Sequence, residues 1–280
     1  LAHHERVELI LLTADRHAGE QLSSVFPHLG GLGLPDLLHI DEVKWTGLDI
    51  DLIFCALPHG TTQEVIAGLL NNGSHQISGL SKDIKVIDLS ADFRLSDFKT
   101  YAKWYGHEHL APVLQPEAVY GLTEFARVEL GETRLIACPG CYPTSSLLPL
   151  LPLIENNVID TDCIIIDAKS GVSGAGRSLK EATLFSEVAE GVNPYSIGSH
   201  RHAPEIEQEL SKAAGKAVTL NFTPHLVPMN RGILSTIYVK LSGASNSDDL
   251  HQVLRERYEN EPFVRVMEKG AIPATRHVRG

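Results

Sequence analysis

Ala137-Cys138-Pro139-Gly140-Cys141-Tyr142-Pro143-Thr144-Ser145-Ser146, running straight into the apolar segment Leu147 to Ile154, decides how the rest of the chain is read. Leu135-Ile136-Ala137 is short and apolar enough for a buried strand, Pro139-Gly140 is turn chemistry, and Pro143 suits the first position of a helix. The stretch predicts a strand end, a tight turn and a helix start, with Cys141 at or just before the helix N-terminus. Unpaired N–H groups and the positive dipole end there favour a thiolate, the nucleophilic form of cysteine, and the same N–H groups could hold an oxyanion. Other readings of the residues stay open. A free cysteine is often a small buried hydrophobe, and Cys138-x-x-Cys141 could be half a zinc site or a redox pair. Zinc lacks a second pair, because Cys55 and Cys163 are isolated, and no thioredoxin-like pattern surrounds the two.

Upstream, Val7 to Thr13, Asp51 to Leu57, Val86 to Leu89 and Leu135 to Ala137 are apolar runs of strand length. Helix-like segments lie between them, the clearest from Thr61 to Asn71, where Val65, Ile66, Leu69 and Leu70 share a face and Asn71-Asn72-Gly73 stops the helix. Strand alternating with helix predicts an α/β, Rossmann-type doubly wound parallel sheet. Ligands of such sheets sit beyond the carboxyl ends of the strands, here Thr13 to Arg16, Ala56-Leu57-Pro58-His59-Gly60 and Ser90 to Arg94. Asp15 and Arg16 together leave open whether a ribose hydroxyl or a 2′-phosphate is read there, or whether the segment is an ordinary solvated turn. A dinucleotide fold opens with a strand and a glycine-rich turn, and none precedes Leu1. Leu1 to Arg6 reads as the tail of a helix already under way, and Arg276 to Gly280 ends without a closing element, so a trimmed chain is expected.

Downstream the pattern changes. Cys163 to Ala168 is a strand that empties into Lys169-Ser170-Gly171-Val172-Ser173-Gly174-Ala175-Gly176-Arg177, a small-residue loop bracketed by two cations and suited to an anion. Ser199-His200-Arg201-His202-Ala203-Pro204-Glu205-Ile206 opens a helix running to about Ala214, with Ile206 and Leu210 on its inner face. A histidine is the natural acid or base at neutral pH, and Glu205 could fix its tautomer or keep it charged. Two histidines two residues apart could also bind zinc, but no further ligand cluster of matching spacing appears, so no metal is expected. Asn221 to Gly232 is a strand end and a proline-rich loop, Ile233 to Leu241 a long strand for a mixed sheet, and Ser247 to Tyr258 a helix. This half predicts an α+β domain, giving domains at 1–140 and 141–280.

With 280 residues, 43% hydrophobic and 21% charged, the chain has the composition of a globular protein, and no apolar run approaches the roughly 20 residues of a membrane helix. A net charge of -11 argues against nucleic acid or an anionic membrane as partner. Four cysteines make no disulfide scaffold, and a reactive thiol fits a reducing compartment, so the cytoplasm is expected. No internal repeat, low-complexity tract or signal peptide is expected.

Pro139 to Thr144, Ser170 to Arg177, His200 to Ile206 and Pro224 to Gly232, in that order, closely resemble the N-acetyl-gamma-glutamyl-phosphate reductase family, and the resemblance extends to Leu57 to Gly60 and Ser90 to Asp92. It implies an NADP-binding domain followed by a catalytic and oligomerisation domain, and NADPH-dependent reduction of an acyl phosphate in arginine biosynthesis. Cys141 would be the nucleophile and His200 the acid/base, with Glu205 orienting or charging that imidazole. Arg201 and His202 would contact the substrate's carboxylate or phosphate, with Lys169 and Arg177 as further anion contacts. Cofactor contacts would come from Thr13, Arg16, Leu57, Pro58, His59, Ser90, Ser173 and Gly174. Cys138 would only pack. The family's amino-terminal glycine loop and its carboxy-terminal return segment are not matched. A homodimer or homotetramer is implied. Rival readings are a reductase of aspartyl phosphate or of a carrier-linked aminoadipyl phosphate, a cofactor-independent thiol hydrolase using Cys141 and His200, and a noncatalytic binding module.

Overall fold

The computed structural model describes residues 1–70 and 77–278, so the helix stop expected at Asn71-Asn72-Gly73 lies outside the described residues. Strands β1 (Leu12–Thr13), β2 (Leu37–Leu38), β3 (Leu52–Cys55), β4 (Lys85–Asp88), β5 (Ala118–Tyr120) and β6 (Leu135–Ala137) alternate with helices α1 (Leu22–Val25), α2 (Thr62–Leu69), α3 (Phe98–Tyr105) and α4 (Thr123–Glu132). The sheet order is β3-β4-β6-β5 and every pairing in it is parallel. Parallel neighbours must be joined by crossovers, and those crossovers cover the sheet faces. Ile66, Leu69, Val86, Leu135 and Ala137 fill the core they enclose.

Two expectations at the start of the chain are corrected. Val7 to Thr13 is strand only at Leu12 and Thr13, because its ladder partner among the described residues, β2, is two residues long. A strand exists only where a neighbour accepts its N–H and C=O groups. Leu1 to Arg6 forms isolated turns, His4 N–H to Leu1 C=O and Val7 N–H to His4 C=O, rather than a helix end.

The remaining chain builds α5 (Cys141–Glu155), β7 (Ile159–Ser170), α6 (Phe185–Val188), β8 (Asn193–Pro194), α7 (His202–Ala214), β9 (Leu220–Leu226), β10 (Ile233–Leu241) and α8 (Ser247–Tyr258). Their sheet runs β10-β7-β9-β8, with β7 parallel to β9 and the outer pairs antiparallel. Helix α5 is apolar nearly all round and accordingly buried; Leu147, Leu150 and Ile154 pack on Ile164 and Ile166 of β7 and on Ile206 and Leu210 of α7. Pro152 within α5 has no N–H to give to the Leu148 carbonyl, and the Tyr258 hydroxyl of α8 donates to it instead. In β7 from Cys163 onward the even-numbered Ile164, Ile166 and Ala168 face α5 and the odd-numbered side chains, Cys163, Ile165, Asp167 and Lys169, face away from it, whereas earlier in the strand the buried side chains are Ile159 and Thr161. Ile165, Leu234, Tyr238 and Leu241 are exposed hydrophobics of the same two strands.

Candidate active site

No tight turn separates β6 from α5. The Cys138 N–H continues the ladder to the Asp88 carbonyl at 2.8 Å, and Gly140 is extended, with φ -65° and ψ 159°, before the helix begins at Cys141. Pro139 and Gly140 carry the chain straight from strand into helix. The helix start leaves a small set of N–H groups to be satisfied. Gly140 N–H donates to Glu205 Oε1 at 2.8 Å, and Pro143 has none to offer. Thr144 N–H makes the first helical bond, to the Gly140 carbonyl at 2.9 Å. Cys141 and Tyr142 N–H remain, and both act on the Cys141 sulfur.

Cys141 is the first residue of α5 and its side chain reaches solvent. Desolvation by the surrounding protein pushes its thiol above the ordinary value, while the N–H groups of Tyr142 and Cys141 and the Arg94 guanidinium pull it down and Glu205 raises it. The expected thiolate preference therefore acts in the right direction but is outweighed by burial.

His200 sits among aromatic rings, with centroid distances of 5.3 Å to Tyr142, 5.5 Å to Tyr195, 5.2 Å to Phe222 and 4.8 Å to His202. This setting pushes its imidazole down to about 4, by desolvation first and the Arg201 charge second. Nδ1 accepts the His202 N–H at 3.1 Å, which assigns the proton of the neutral ring to Nε2. His202 is also held neutral, by desolvation and then the neighbouring His200. Its Nε2 crowds Gly140 so closely that a Cβ there would lie 2.5 Å away.

Glu205 does not reach His200, contrary to expectation. Its carboxylate is buried and accepts from Gly140 N–H, from the Tyr120 hydroxyl at 2.7 Å and from Arg94, whose Nη1 lies 3.4 Å from Oε2. Arg94 in turn donates from Nε to the Cys138 carbonyl at 2.7 Å and from Nη2 to the Leu89 carbonyl at 3.2 Å. Sequence reading assigned no role to Arg94, Tyr120 or Tyr195. Arg94 stands in a strand-end segment already marked for ligands, whereas Tyr120 and Tyr195 carry no motif signal.

Lys169 also departs from expectation. Its odd-numbered place on β7 turns it away from α5, where it pairs with Asp167 at 2.5 Å, with His225 Nδ1 3.1 Å from the same carboxylate. It does not join Cys141. Ser170 to Arg177 and Met229 to Gly232 are zipped into one platform by Gly171 N–H to Gly232 C=O, Val172 N–H to Met229 C=O and Ser173 N–H to Asn230 C=O. A cavity of about 840 Å³ beside this platform is lined by Ser173, Arg177, Lys180, Asn230 and Arg231, with Cys141 and His200 outside it. Arg177 is exposed, its guanidinium 5.1 Å from the Phe26 ring centroid, and Gly174 is exposed on the 3-10 turn. Arg201 is exposed and stacks over Tyr105 at 5.1 Å.

At the carboxyl ends of β3 and β4, Asp92 accepts Gly60 N–H on both oxygens at 2.9 Å and the Tyr101 hydroxyl at 2.9 Å, fixing the Pro58-His59-Gly60 bend. His59 Nδ1 accepts Ala91 N–H at 3.0 Å. Ser90 is buried, its hydroxyl donating to Asp88 and accepting from Asp92 N–H, so this side chain is occupied within the fold rather than open to a cofactor. Leu57 and Leu89 are 38% and 42% exposed at these strand ends. Apolar side chains left uncovered there, beside backbone turns, suit the flat rings of a dinucleotide. Thr13 and Arg16 are exposed at the end of β1, on the separate β1–β2 pair. Among the described residues no three His, Cys, Asp or Glu side chains converge as metal ligands, and no helix is long and apolar enough to cross a membrane.

Comparison with known proteins matches residues 1–133 to the semialdehyde dehydrogenase NAD-binding domain and residues 141–280 to the semialdehyde dehydrogenase dimerisation domain. An N-acetyl-gamma-glutamyl-phosphate reductase of Rhodospirillum rubrum is 56% identical over 280 residues, covering 100% of this chain and 77% of that protein. A probable chloroplastic N-acetyl-gamma-glutamyl-phosphate reductase of Arabidopsis thaliana is 50% identical, again over 100% of this chain and 67% of that protein. Among solved structures, aspartate semialdehyde dehydrogenase II of Vibrio cholerae shares the fold with a TM-score of 0.59 at 14% identity, over 88% of this chain and 70% of that one. The fold, the ordered motifs and this level of identity over the full chain agree, and the chain belongs to the N-acetyl-gamma-glutamyl-phosphate reductase branch of the semialdehyde dehydrogenase family.

Proposed function

We propose that the chain catalyses NADPH-dependent reduction of N-acetyl-gamma-glutamyl phosphate to N-acetyl-glutamate 5-semialdehyde and phosphate, a step of arginine biosynthesis. The observation that carries the chemistry is the meeting of two motifs at one helix start: Tyr142, next to Cys141, faces the His200 ring at 5.3 Å, and Gly140 lies against His202. The Cys141 thiolate attacks the acyl carbon, the carbon–oxygen bond to phosphate breaks, and a thioester forms. Bound NADPH supplies the hydride that converts this acyl group to the aldehyde. His200 Nε2–H donates a hydrogen bond to the oxygen that gains charge, in neutral form, because its surroundings hold the ring unprotonated at physiological pH. Arg201 and His202 supply contacts for the carboxylate or phosphate of the substrate, and Arg177, Ser173 and Gly174 offer a further anion contact on the platform. Thr13, Arg16, Leu57, Pro58 and His59 line the dinucleotide side, with Arg16 the cation for a 2′-phosphate.

Two domains, 1–140 and 141–280, fit this division of labour, since α5 packs on the second sheet. The outward face of β7 and β10, with exposed Ile165, Leu234 and Tyr238, suits a homodimer, or a homotetramer built from it. A cysteine nucleophile with no disulfide near it suits the cytoplasm or another reducing compartment.

The test follows NADP reduction with N-acetyl-glutamate semialdehyde, with and without phosphate, for wild type and Cys141→Ala. Phosphate-dependent turnover lost in the variant is the expected result. Turnover with aspartate semialdehyde alone would move the substrate, and silence with both aldehydes would overturn the reductase reading.

A further inference from the structure

The Gly140 N–H at the start of α5 and the Cys138 carbonyl before it are both taken by residues far away in sequence. Glu205, from α7, takes the Gly140 N–H at 2.8 Å, while Arg94, from the segment after β4, takes the Cys138 carbonyl at 2.7 Å. The two peptide groups flanking Pro139 are thus gripped by residues that also face each other at 3.4 Å, side chains 6% and 1% exposed. Tyr120, from β5, closes the group by donating to the same Glu205 oxygen at 2.7 Å. Pro143 removes a further donor by its chemistry. What remains free at the helix start is the Cys141 and Tyr142 N–H pair, which acts on the sulfur.

We propose that Arg94, Tyr120 and Glu205 form a positioning clamp that fixes the Cys138–Gly140 segment and so aims the first two N–H groups of α5 at the Cys141 sulfur. The clamp rests on the reading of Cys141 as nucleophile. It ties together β4, β5, β6 and α7, so the helix that begins at His202 and the strand that delivers the cysteine are set relative to each other by one buried carboxylate. Arg94 offsets the charge of that carboxylate, which would otherwise stand uncompensated beside a developing thiolate. Asp88, His59, His202, Tyr105 and Cys138 are further titratable groups facing Arg94, Glu205 or the Cys138–Gly140 segment.

The test reads iodoacetamide alkylation of Cys141 against pH, peptide by peptide, in the full chain. Glu205→Gln and Glu205→Leu remove the same charge, but only glutamine keeps an oxygen for the Gly140 and Tyr120 donors. The alkylation midpoint of Glu205→Leu is expected about one pH unit above that of Glu205→Gln, as the N–H groups lose their aim. Its kcat is expected to fall about tenfold or more against Glu205→Gln, with KM within about threefold. Arg94→Lys keeps every charge and loses the planar fork that reaches the Cys138 carbonyl; it is expected to raise the midpoint as well, and it covers the case in which Glu205→Leu fails to fold. Coincident midpoints for Glu205→Gln and Glu205→Leu, or a wild-type midpoint in Arg94→Lys where Glu205→Leu does not fold, would overturn the clamp. Alkylation needs neither substrate nor cofactor, so failure of the reductase assay with the midpoint split intact would count against the substrate reading alone.

Discussion

His200 shows how a side chain's surroundings set its role. The ordinary imidazole titrates at 6.5, and the aromatic enclosure lowers this one to about 4. Between those values the unfolded chain binds the proton and the folded chain does not, so stability rises with pH across the window and is lost on acidification through it. His200→Gln is expected to flatten that dependence by on the order of 2–3 kcal/mol between pH 7 and 4, measured by denaturant unfolding at each pH; an unchanged slope would show that the ring is not held neutral. Gly140 carries a second expectation. Its backbone is ordinary, but a methyl group would sit 2.5 Å from His202 Nε2, so Gly140→Ala must displace that imidazole. A kcat loss of about tenfold to a hundredfold is expected with the fold retained, read by steady-state kinetics alongside circular dichroism.

Among the elements, the two glycine-containing loops act as one. Gly171 lies against the chain that follows Asn230, and an added Cβ would come 2.8 Å from Arg231 N and 2.9 Å from the Asn230 carbonyl oxygen. Backbone cannot yield as a side chain can, so Gly171→Ala is expected to cost about 2–3 kcal/mol in thermal or denaturant unfolding; a cost below 0.5, on the order of a surface change, would contradict the zipped platform. How much of this was legible in sequence follows the same logic of partners. Strand β10 and helix α8 run Ile233–Leu241 and Ser247–Tyr258 as their patterns predict, because alternation and the acidic first turn of Asp248 and Asp249 are local signals. The strand-to-helix passage into Cys141 was legible in type but not in shape: Pro139-Gly140 has turn composition, yet the ladder to Asp88 keeps it extended. Val7 to Leu11 read as strand and is not, since its neighbour is too short to pair with it. Lys169 could not be placed from sequence because one step along a strand reverses the face. Glu205 sits three residues after His202, and nothing local reveals that its partners are Arg94, Tyr120 and Gly140.

At the scale of the molecule, the parallel sheet offers strand ends to a dinucleotide and the mixed sheet turns one face to α5 and the other outward. Replacing Tyr238 and Ile165 on the outward face by Lys and Asp is expected to yield monomers in light scattering, whereas an unaltered oligomer would place the interface elsewhere. The proposed chemistry requires an acyl group to pass through the Cys141 sulfur. The most direct measurement is intact-protein and peptide mass spectrometry of the chain mixed with N-acetyl-gamma-glutamyl phosphate and no cofactor, with released phosphate counted in parallel. An N-acetyl-glutamyl thioester on the Cys141 peptide is expected, with phosphate released in proportion, and neither in Cys141→Ala. Phosphate release that persists in Cys141→Ala, or acylation at another residue, would contradict it.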